Sequence, residues 1–239
     1  MATAERWEPV WAQGVPQGTC FDTGSPHPHL AALIATPGAL PPGRALVPGC
    51  GRGYAVAALA RADRAAVGLD VAPTAVAAAT AYLASPAARV AAGASATVRL
   101  GSFFELPSGA GDPKWQVIYD YTFLCAIPPA LHARWAAQMA ALLDRDAGVL
   151  LTMVFPICEQ PKEGGPPYAM SLELVRGLLE GAGLEAAAGG AGAPRLLAPE
   201  ESHAGRGGQP GGMPWGVSRT GFAMWRHKKR ERNSEETTT

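Results

Sequence analysis

A glycine-rich loop between two regular segments constrains the fold of this chain more than any other feature. Residues 44–47 are predicted as a strand, residues 47–53 carry the loop sequence VPGCGRG, and residues 54–62 are predicted as a helix. Glycines in such a loop let the backbone turn tightly and approach a ligand without Cβ atoms in the way. This strand–turn–helix unit indicates a parallel sheet that binds a ligand at the carboxyl ends of its strands.

The alternation of apolar runs with helical periodicity continues along the chain. Further strands are predicted at residues 65–69, 96–100, 116–121 and 148–155, and helices at residues 73–83, 129–143 and 171–180, the last one capped by Ser171. Beyond residue 183 the signal weakens, and residues 184–188, 195–198 and 217–225 are predicted as antiparallel edge strands. We therefore expect an α/β fold with a Rossmann-like, mostly parallel sheet and helices on both faces.

Length and charge limit the classes of protein to consider. The chain has 239 residues, which suits one domain, placed here at residues 1–225 with a charged flexible tail at residues 226–239. Lys+Arg 20 balance Asp+Glu 20, and this balance excludes a nucleic-acid binder that works by neutralising phosphates. The sequence has no run of 18 apolar residues, so we expect no membrane span.

The cysteines and histidines show no metal-binding spacing. The chain has Cys 4 and His 5, scattered and without a C-x-x-C pair, so we expect no metal site. Dispersed thiols of this kind are typical of a reducing compartment, and we expect a cytoplasmic protein. We also expect it to act as a monomer.

Asp70, at the end of the second predicted strand, indicates what the glycine loop binds. A carboxylate there can accept hydrogen bonds from two ribose hydroxyls, so loop and acid together favour an adenosine-containing cofactor. A dinucleotide fingerprint needs a third glycine at position 54, where this chain has Tyr54. The shorter G-x-G-x-G spacing instead favours the methionine end of S-adenosylmethionine.

Several longer motifs resemble one family. They are RALVPGCGRG at 44–53, VGLD at 67–70, YDYTFLCAI at 119–127, GGPPY at 164–168 and SRTG at 218–221. Together they resemble the thiopurine S-methyltransferase superfamily and, more narrowly, its halide/thiol methyltransferase branch, called "harmless to ozone layer" proteins. Trp7, Trp11 and the segment FDTG at 21–24 are similar to the family's N-terminal lid. The resemblance extends from residue 7 to residue 225.

The resemblance implies a class I methyltransferase fold of seven strands, with S-adenosylmethionine as the methyl donor. Residues 1–30 would form a lid in which Trp7, Trp11 and Phe21 close over the cofactor. The other cofactor-binding residues that it implies are Gly49 and Gly51 at the amino-acid end, Asp70 at the ribose, Ser102 and Phe103 at the adenine, and Asp120 with Tyr121 as the floor near the sulfonium. The sequence departs from the family pattern at Ser102, where Asp is usual, and at Phe21, where Trp is usual. The span from Trp11 to Asp22 is also longer than the family pattern, and Tyr54 and Ala55 stand where the family often has a polar residue and Asp.

The reaction expected from this resemblance is methyl transfer to a small nucleophile. Displacement at a sulfonium methyl is in line, so the protein mainly aligns the reactants and excludes water. Halide, thiocyanate and bisulfide arrive as anions and need no general base, and the products would be methyl halide, methyl thiocyanate or methanethiol. Tyr121, Phe155 and Tyr168 are the candidate catalytic residues of the nucleophile pocket, because Phe155 and Tyr168 follow the fifth strand.

Three alternatives remain at this stage. The protein could methylate a thiopurine or another small thiol, and pocket size would discriminate between these substrates. It could bind S-adenosylmethionine without catalysis, which binding without turnover would reveal. An NAD-linked oxidoreductase would require the glycine that is missing at position 54.

Overall fold

The computed structural model describes residues 4–19, 21–158, 163–202 and 218–229. Its centre is one mostly parallel sheet, whose strands are β1 (Gly43–Pro48), β2 (Arg64–Asp70), β3 (Ala96–Leu100), β4 (Val117–Tyr121), β5 (Val149–Cys158), β6 (Leu184–Ala186), β7 (Arg195–Leu196) and β8 (Ser218–His227). The strand order in the sheet is β3-β2-β1-β4-β5-β8-β6, and β7 also pairs with β8. The predicted doubly wound α/β architecture is confirmed, with β7 as a two-residue addition to seven strands.

Helices cover the sheet on both faces. They are α1 (Ala4–Ala12), α2 (Pro28–Ala35), α3 (Tyr54–Leu59), α4 (Pro73–Ala84), α5 (His132–Leu142) and α6 (Leu172–Gly181). One core contains Trp135 of α5 and Val175 of α6, and the other contains Leu30 of α2 and Leu59 of α3. The apolar residues of α5 and α6 recur at helical spacing, so each of these helices has an apolar face that it buries in the core.

Alternation along β4 divides its residues between these two cores. Ile118 belongs to the core under α5, whereas Val117 and Tyr119 belong to the core under α2. Side chains on a strand alternate with a period of two, so Asp120 lies on the α5 face and Tyr121 on the α2 face. This division decides which residues of the YDYTF motif can reach a ligand.

The sheet reverses its winding direction between β1 and β4. β1 pairs in parallel with β2 on one side and with β4 on the other. Ligands of open α/β sheets bind at such a switch point, outside the carboxyl ends of the strands. The glycine loop follows β1 there, and Asp70 ends β2 beside it.

The predicted edge strand at residues 217–225 is wrong in its position. β8 is antiparallel as expected, but it lies between β5 and β6 and extends through His227. Its residues from Thr220 to Trp225 are buried on both faces, as an interior strand requires. Arg226 and His227, predicted to start the tail, therefore belong to the sheet, while residues 230–239 lie outside the described residues, as does most of the loop predicted at 201–216.

Two smaller differences have local causes. α3 ends at Leu59 rather than at residue 62, because Ala60 is extended and Arg61 pairs with Arg64. α2 was not predicted, although Pro28 stands in its first turn and the side chain of His27 caps it by accepting a hydrogen bond from the His29 N–H. Ser171 caps α6 as predicted, accepting from the Leu174 N–H at 3.0 Å.

Candidate active site

A cavity of about 150 Å³ opens at the carboxyl ends of β1, β2 and β4. Its walls are formed by the glycine loop, the ends of these strands, the segments after β3 and β4, and the N-terminal residues. Of the predicted site residues, it brings together Trp7, Trp11, Phe21, Gly49, Gly51, Asp70, Ser102, Phe103 and Tyr121. The cavity therefore lies at the topological switch point, where the sheet favours ligand binding.

The glycine loop needs its glycines for two reasons. Gly49, Gly51 and Gly53 have φ angles of +58°, +50° and +85°, a left-handed region that side chains with a Cβ rarely adopt. A Cβ on Gly49 would also lie 2.6 Å from Cδ2 of Phe123. The loop consequently presents bare backbone to the cavity.

Asp70 joins the end of β2 to this loop. Its Oδ2 accepts a hydrogen bond from the Gly51 N–H at 3.0 Å, and its Oδ1 accepts one from the Ala72 N–H at 3.0 Å. Burial raises the pKa of this carboxyl, while the backbone hydrogen bonds act in the opposite direction. A carboxylate has about four acceptor sites, so Asp70 retains capacity for the hydroxyls of a ligand.

Aromatic rings form the wall on the β3 side. Phe103 is buried, and its ring centroid lies 5.3 Å from that of Phe123 in an edge-to-face arrangement. Ser102 lines the cavity, and its Oγ accepts a hydrogen bond from the Phe104 N–H at 3.3 Å, capping a short 3₁₀ helix. Ser102 thus combines the predicted site position with a structural role.

The N-terminal residues cover the cavity; we call residues 4–19 and 21–26 the lid. The Phe21 ring lies 5.5 Å from the Trp7 ring and 5.6 Å from the Trp11 ring, both edge-to-face. The Glu8 carboxylate docks α1 on the start of α4, where it accepts hydrogen bonds from the Thr74 N–H at 3.0 Å and the Thr74 hydroxyl at 2.6 Å. The three predicted lid aromatics therefore form one cluster.

Asp22 connects this lid to the glycine loop, a role that the sequence analysis missed. Its carboxylate accepts from Arg52 Nε at 2.6 Å and from the Tyr54 hydroxyl at 2.8 Å. Arg52 also donates to the Val15 carbonyl at 2.6 Å. The only sequence signal was an acid within the FDTG motif, together with an arginine and a tyrosine in the loop region, and spacing does not reveal that they meet.

Tyr121 forms the floor on the α2 face. Its ring lies 5.0 Å from the ring of His27, another cavity residue that was not predicted. Burial raises the pKa of Tyr121 above its usual value, so the phenol stays protonated. The floor is therefore aromatic and uncharged at Tyr121.

Asp120, predicted beside Tyr121, does not line this cavity. It is only 3% exposed, and it accepts hydrogen bonds from Trp135 Nε1 at 2.8 Å and from the Leu124 N–H at 3.2 Å. Burial raises the pKa of this carboxyl to about 6. Period-two alternation puts Asp120 under α5, where its hydrogen bonds order the chain after β4.

Phe155 and Tyr168 are also absent from the described cavity wall. The Phe155 ring lies 6.2 Å from the Tyr121 ring, and Phe155 borders a separate small pocket with Asp120, Cys125 and Met170. Tyr168 packs against the α5-side core, and its N–H donates to the Cys125 carbonyl at 2.8 Å. Phe155 thus contacts the cavity-lining ring of Tyr121 without lining the cavity itself. Residues 159–162, which lie between Phe155 and Tyr168 in the sequence, are outside the described part of the chain.

The described residues contain no group of three potential metal-ligating side chains. Within the same residues, no helix is long and apolar enough to cross a membrane.

Sequence comparisons agree with the predicted resemblance. The profile of the thiopurine S-methyltransferase (TPMT) family matches residues 2–189. Probable thiol methyltransferase 2 of Arabidopsis thaliana is 41% identical over 182 residues, 75% of this chain and 74% of that protein. Thiocyanate methyltransferase 1 of Brassica oleracea is 36% identical over 181 residues, 75% of this chain and 74% of that protein. Thiopurine S-methyltransferase of Azotobacter vinelandii is 30% identical over 181 residues, 72% of this chain and 80% of that protein.

Solved structures support the fold. Magnesium protoporphyrin IX methyltransferase from Synechocystis PCC 6803, solved with bound SAM, superposes with a TM-score of 0.58 at 18% identity. The match covers 94% of this chain and 90% of that chain. The predicted class I, Rossmann-like methyltransferase fold is thereby confirmed.

Proposed function

Because the chain belongs to the thiopurine S-methyltransferase family and is an S-adenosylmethionine-dependent methyltransferase, we propose that its acceptor is a small anionic or thiol nucleophile. Halide, thiocyanate and bisulfide are the proposed acceptors, giving methyl halide, methyl thiocyanate and methanethiol. The names of the plant relatives support thiocyanate and thiols.

The residues of the cavity fit the cofactor. Gly49 and Gly51 form a cradle that a Cβ would fill, and Asp70 offers its remaining acceptor sites beside them. We propose that the loop holds the amino-acid end, that Asp70 binds the ribose, and that Ser102 with Phe103 contacts the adenine. Bound S-adenosylmethionine supplies a methyl group made electrophilic by its cationic sulfur.

The aromatic rings serve this chemistry in two ways. Trp7, Trp11 and Phe21 cover the cavity and exclude water from it. A cation over an aromatic face is stabilised by about 0.5–2 kcal/mol per ring, most when water is excluded. We propose that Tyr121 and these rings form the walls around the reacting centre.

The observation that carries the proposal is that four ionisable groups of the described cavity are held in hydrogen bonds or in a protonated form, so none of them is placed to act as a general base. Asp22 pairs with Arg52, and Asp70 holds the glycine loop. His27 accepts a hydrogen bond from the His29 N–H at Nδ1, which places the proton of the neutral ring on Nε2 and leaves that atom a donor. Burial raises the pKa of Cys50, so its thiol stays protonated. Such a site suits a nucleophile that is deprotonated before it binds.

The free energy of removing water from an anion predicts which anions enter an aromatic cavity most readily. Removing water from a charged group is unfavourable in a site of low dielectric. Large, weakly hydrated anions such as iodide and thiocyanate have the smallest desolvation cost on entry. The positive charge of the cofactor would offset part of that cost. We therefore expect iodide and thiocyanate to be preferred over chloride.

Headspace gas chromatography tests this function. The purified protein is incubated with S-adenosylmethionine and, in parallel, with iodide, thiocyanate, bisulfide or chloride, and an aromatic thiol is followed by liquid chromatography. Methyl iodide or methyl thiocyanate above the level of a no-enzyme reaction is expected. Turnover of the aromatic thiol alone would assign the protein to thiopurine-like substrates, as the Azotobacter relative is named, and would overturn the anion proposal.

We further propose that the protein acts as a cytoplasmic monomer, that the N-terminal segment 1–30, which contains the lid, closes over the cofactor, and that the chain carries a charged C-terminal tail. The sequence has Cys 4, dispersed and without a C-x-x-C pair, and this spacing supports a reducing compartment. Light scattering on the purified protein tests the oligomeric state.

A further inference from the structure

We propose that Asp22 is a positioning residue that couples closure of the lid to binding of S-adenosylmethionine at the glycine loop. The inference rests on the proposed function only in taking the cavity as the cofactor site, and it is independent of the nucleophile. In this proposal, Asp22 acts through Arg52 and Tyr54 and does not itself touch the cofactor.

The two carboxylate oxygens of Asp22 have different partners. Oδ1 accepts from two N–H groups of the lid, Gly18 at 3.1 Å and Gly24 at 3.0 Å, and also from the Tyr54 hydroxyl at 2.8 Å. Oδ2 accepts from Arg52 Nε at 2.6 Å. One oxygen therefore orders the lid turn and reaches the first residue of α3, whereas the other holds the glycine loop itself.

Arg52 completes the connection from the loop side. Its second donor reaches the Val15 carbonyl at 2.6 Å, and its guanidinium lies 5.7 Å from the centre of the Trp11 ring. Arg52 is flanked in sequence by Gly51 and Gly53, whose left-handed backbones shape the cradle. It thus touches the lid at three places while belonging to the loop.

Burial makes this connection costly to break. The Asp22 side chain is 1% exposed and the Arg52 side chain 18%. Removing one partner of a buried, hydrogen-bonded ion pair leaves the other charge without compensation, which is far more unfavourable than the loss of a surface pair. A lid that detaches must therefore pull Asp22 away from Arg52 and Tyr54 together.

The same contacts explain how the position of the lid would change the affinity for the cofactor. The Gly51 N–H donates to Asp70, and Trp11 packs close enough to meet a Cβ on Gly51 at 3.4 Å. Gly51 is thus held between the proposed ribose-binding acid and a lid aromatic, and Arg52 follows it directly. A displaced Arg52 would change the backbone that forms the cradle.

Asp22→Asn is the sharpest variant, because it is nearly isosteric. The amide oxygen can keep the three hydrogen bonds at Oδ1, while the NH2 group replaces only the oxygen that faces Arg52. Arg52→Met removes the other partner, and Arg52→Lys keeps the charge but loses the fork that serves both Asp22 and Val15. Glu201→Gln is a matched control, since it breaks the Arg195–Glu201 ion pair, which does not line the cavity.

Calorimetric titration with S-adenosylmethionine measures the coupling. We expect Asp22→Asn and Arg52→Met each to raise the dissociation constant about tenfold, the scale of one charged hydrogen bond. Because both substitutions break the same contact, the double variant should also raise it about tenfold in total, whereas independent effects would multiply to about a hundredfold. Arg52→Lys should fall between wild type and Arg52→Met. Glu201→Gln should lower the melting temperature but leave the dissociation constant unchanged. Hydrogen exchange should show faster exchange in residues 4–19 of the Asp22 and Arg52 variants alone.

Two results would overturn the inference: cofactor binding as tight as in the wild type in a folded Asp22→Asn protein, or independent, multiplying effects of the Asp22 and Arg52 substitutions. If Asp22→Asn does not fold, Arg52→Lys carries the same test through affinity and lid exchange. Failure of the wild type itself to bind S-adenosylmethionine would instead overturn the proposed function, so the two failures are distinguishable.

Discussion

The carboxylate of Asp70 accepts the Gly51 N–H at 3.0 Å, which ties the end of β2 to the glycine loop that follows β1. The two residues belong to neighbouring parallel strands whose ends meet at the switch point of the sheet. The proposed ribose-binding group thus also shapes the backbone on which the amino-acid end would rest.

Asp70→Ala should weaken S-adenosylmethionine binding by about tenfold to a hundredfold, since a charged acceptor contributes about 1.5–3 kcal/mol and the loop loses its anchor as well. Calorimetry measures the affinity, and circular dichroism verifies that the variant is folded. An unchanged dissociation constant in a folded variant would remove Asp70 from the cofactor site.

Gly49→Ala should be more harmful than an alanine at another left-handed glycine. Both Gly49 and Gly38 have positive φ angles, but a Cβ on Gly38 meets no atom within 4 Å, whereas one on Gly49 lies 2.6 Å from the Phe123 ring. Left-handed strain costs about 1–2 kcal/mol at either site. Thermal unfolding and cofactor titration of the two variants separate strain from collision: equal behaviour of both would show that Phe123 moves aside easily.

Ser102→Asp should tighten S-adenosylmethionine binding several-fold and lower its Michaelis constant with little change in turnover. Asp can still accept from the Phe104 N–H as a helix cap, and a charge-assisted hydrogen bond to the adenine amine would be about twice as strong as a neutral one. Ser102→Ala is the companion variant and should lose about 1 kcal/mol of stability with the cap. Weaker binding in a folded Ser102→Asp protein would mean that the adenine lies elsewhere.

Asp120→Asn should lower stability without changing cofactor affinity. Its amide would place an N–H group against either Trp135 Nε1 or the Leu124 N–H, leaving a buried donor unpaired at a cost of about 1–3 kcal/mol. An altered affinity for S-adenosylmethionine with unchanged stability would contradict this prediction and would indicate that Asp120 contacts the cofactor.

The pH dependence of stability should reveal the buried charge of Asp120. Its pKa is about 6 in the folded protein against 3.8 for the ordinary carboxyl, so the folded state binds more protons between these values. This group therefore makes the protein less stable as pH rises from about 4 to about 6, with no further change above. The stability difference between wild type and Asp120→Asn, measured by denaturant unfolding, should be largest near pH 4 and shrink towards pH 7. A constant difference would contradict the raised pKa.

The rate of iodide methylation should be nearly flat between about pH 6.5 and pH 8.5, because a permanent anion loses no proton. The bisulfide rate should rise near neutrality as hydrogen sulfide deprotonates. Initial rates by gas chromatography at constant ionic strength test this, and a steep limb with iodide would identify a general base in the enzyme.

Local sequence patterns determined much of the sheet and one side of the site. Strand and helix periodicity, the loop glycines and the acid that ends β2 depend on interactions within a few residues, so they could be predicted without a fold. Asp70, Gly49 and Gly51 meet in the cavity as expected because consecutive parallel strands place their carboxyl ends together.

Only the tertiary structure decided which face of β4 meets the cavity and what holds the lid. Period-two alternation separates Asp120 from Tyr121 but does not say which core each will join. β8 was read as an edge strand because its partners, β5 and β6, are distant in sequence. The contact between Asp22 and Arg52 joins residues 30 positions apart, and a buried ion pair of this kind arises from the packing of the whole chain, not from any local pattern.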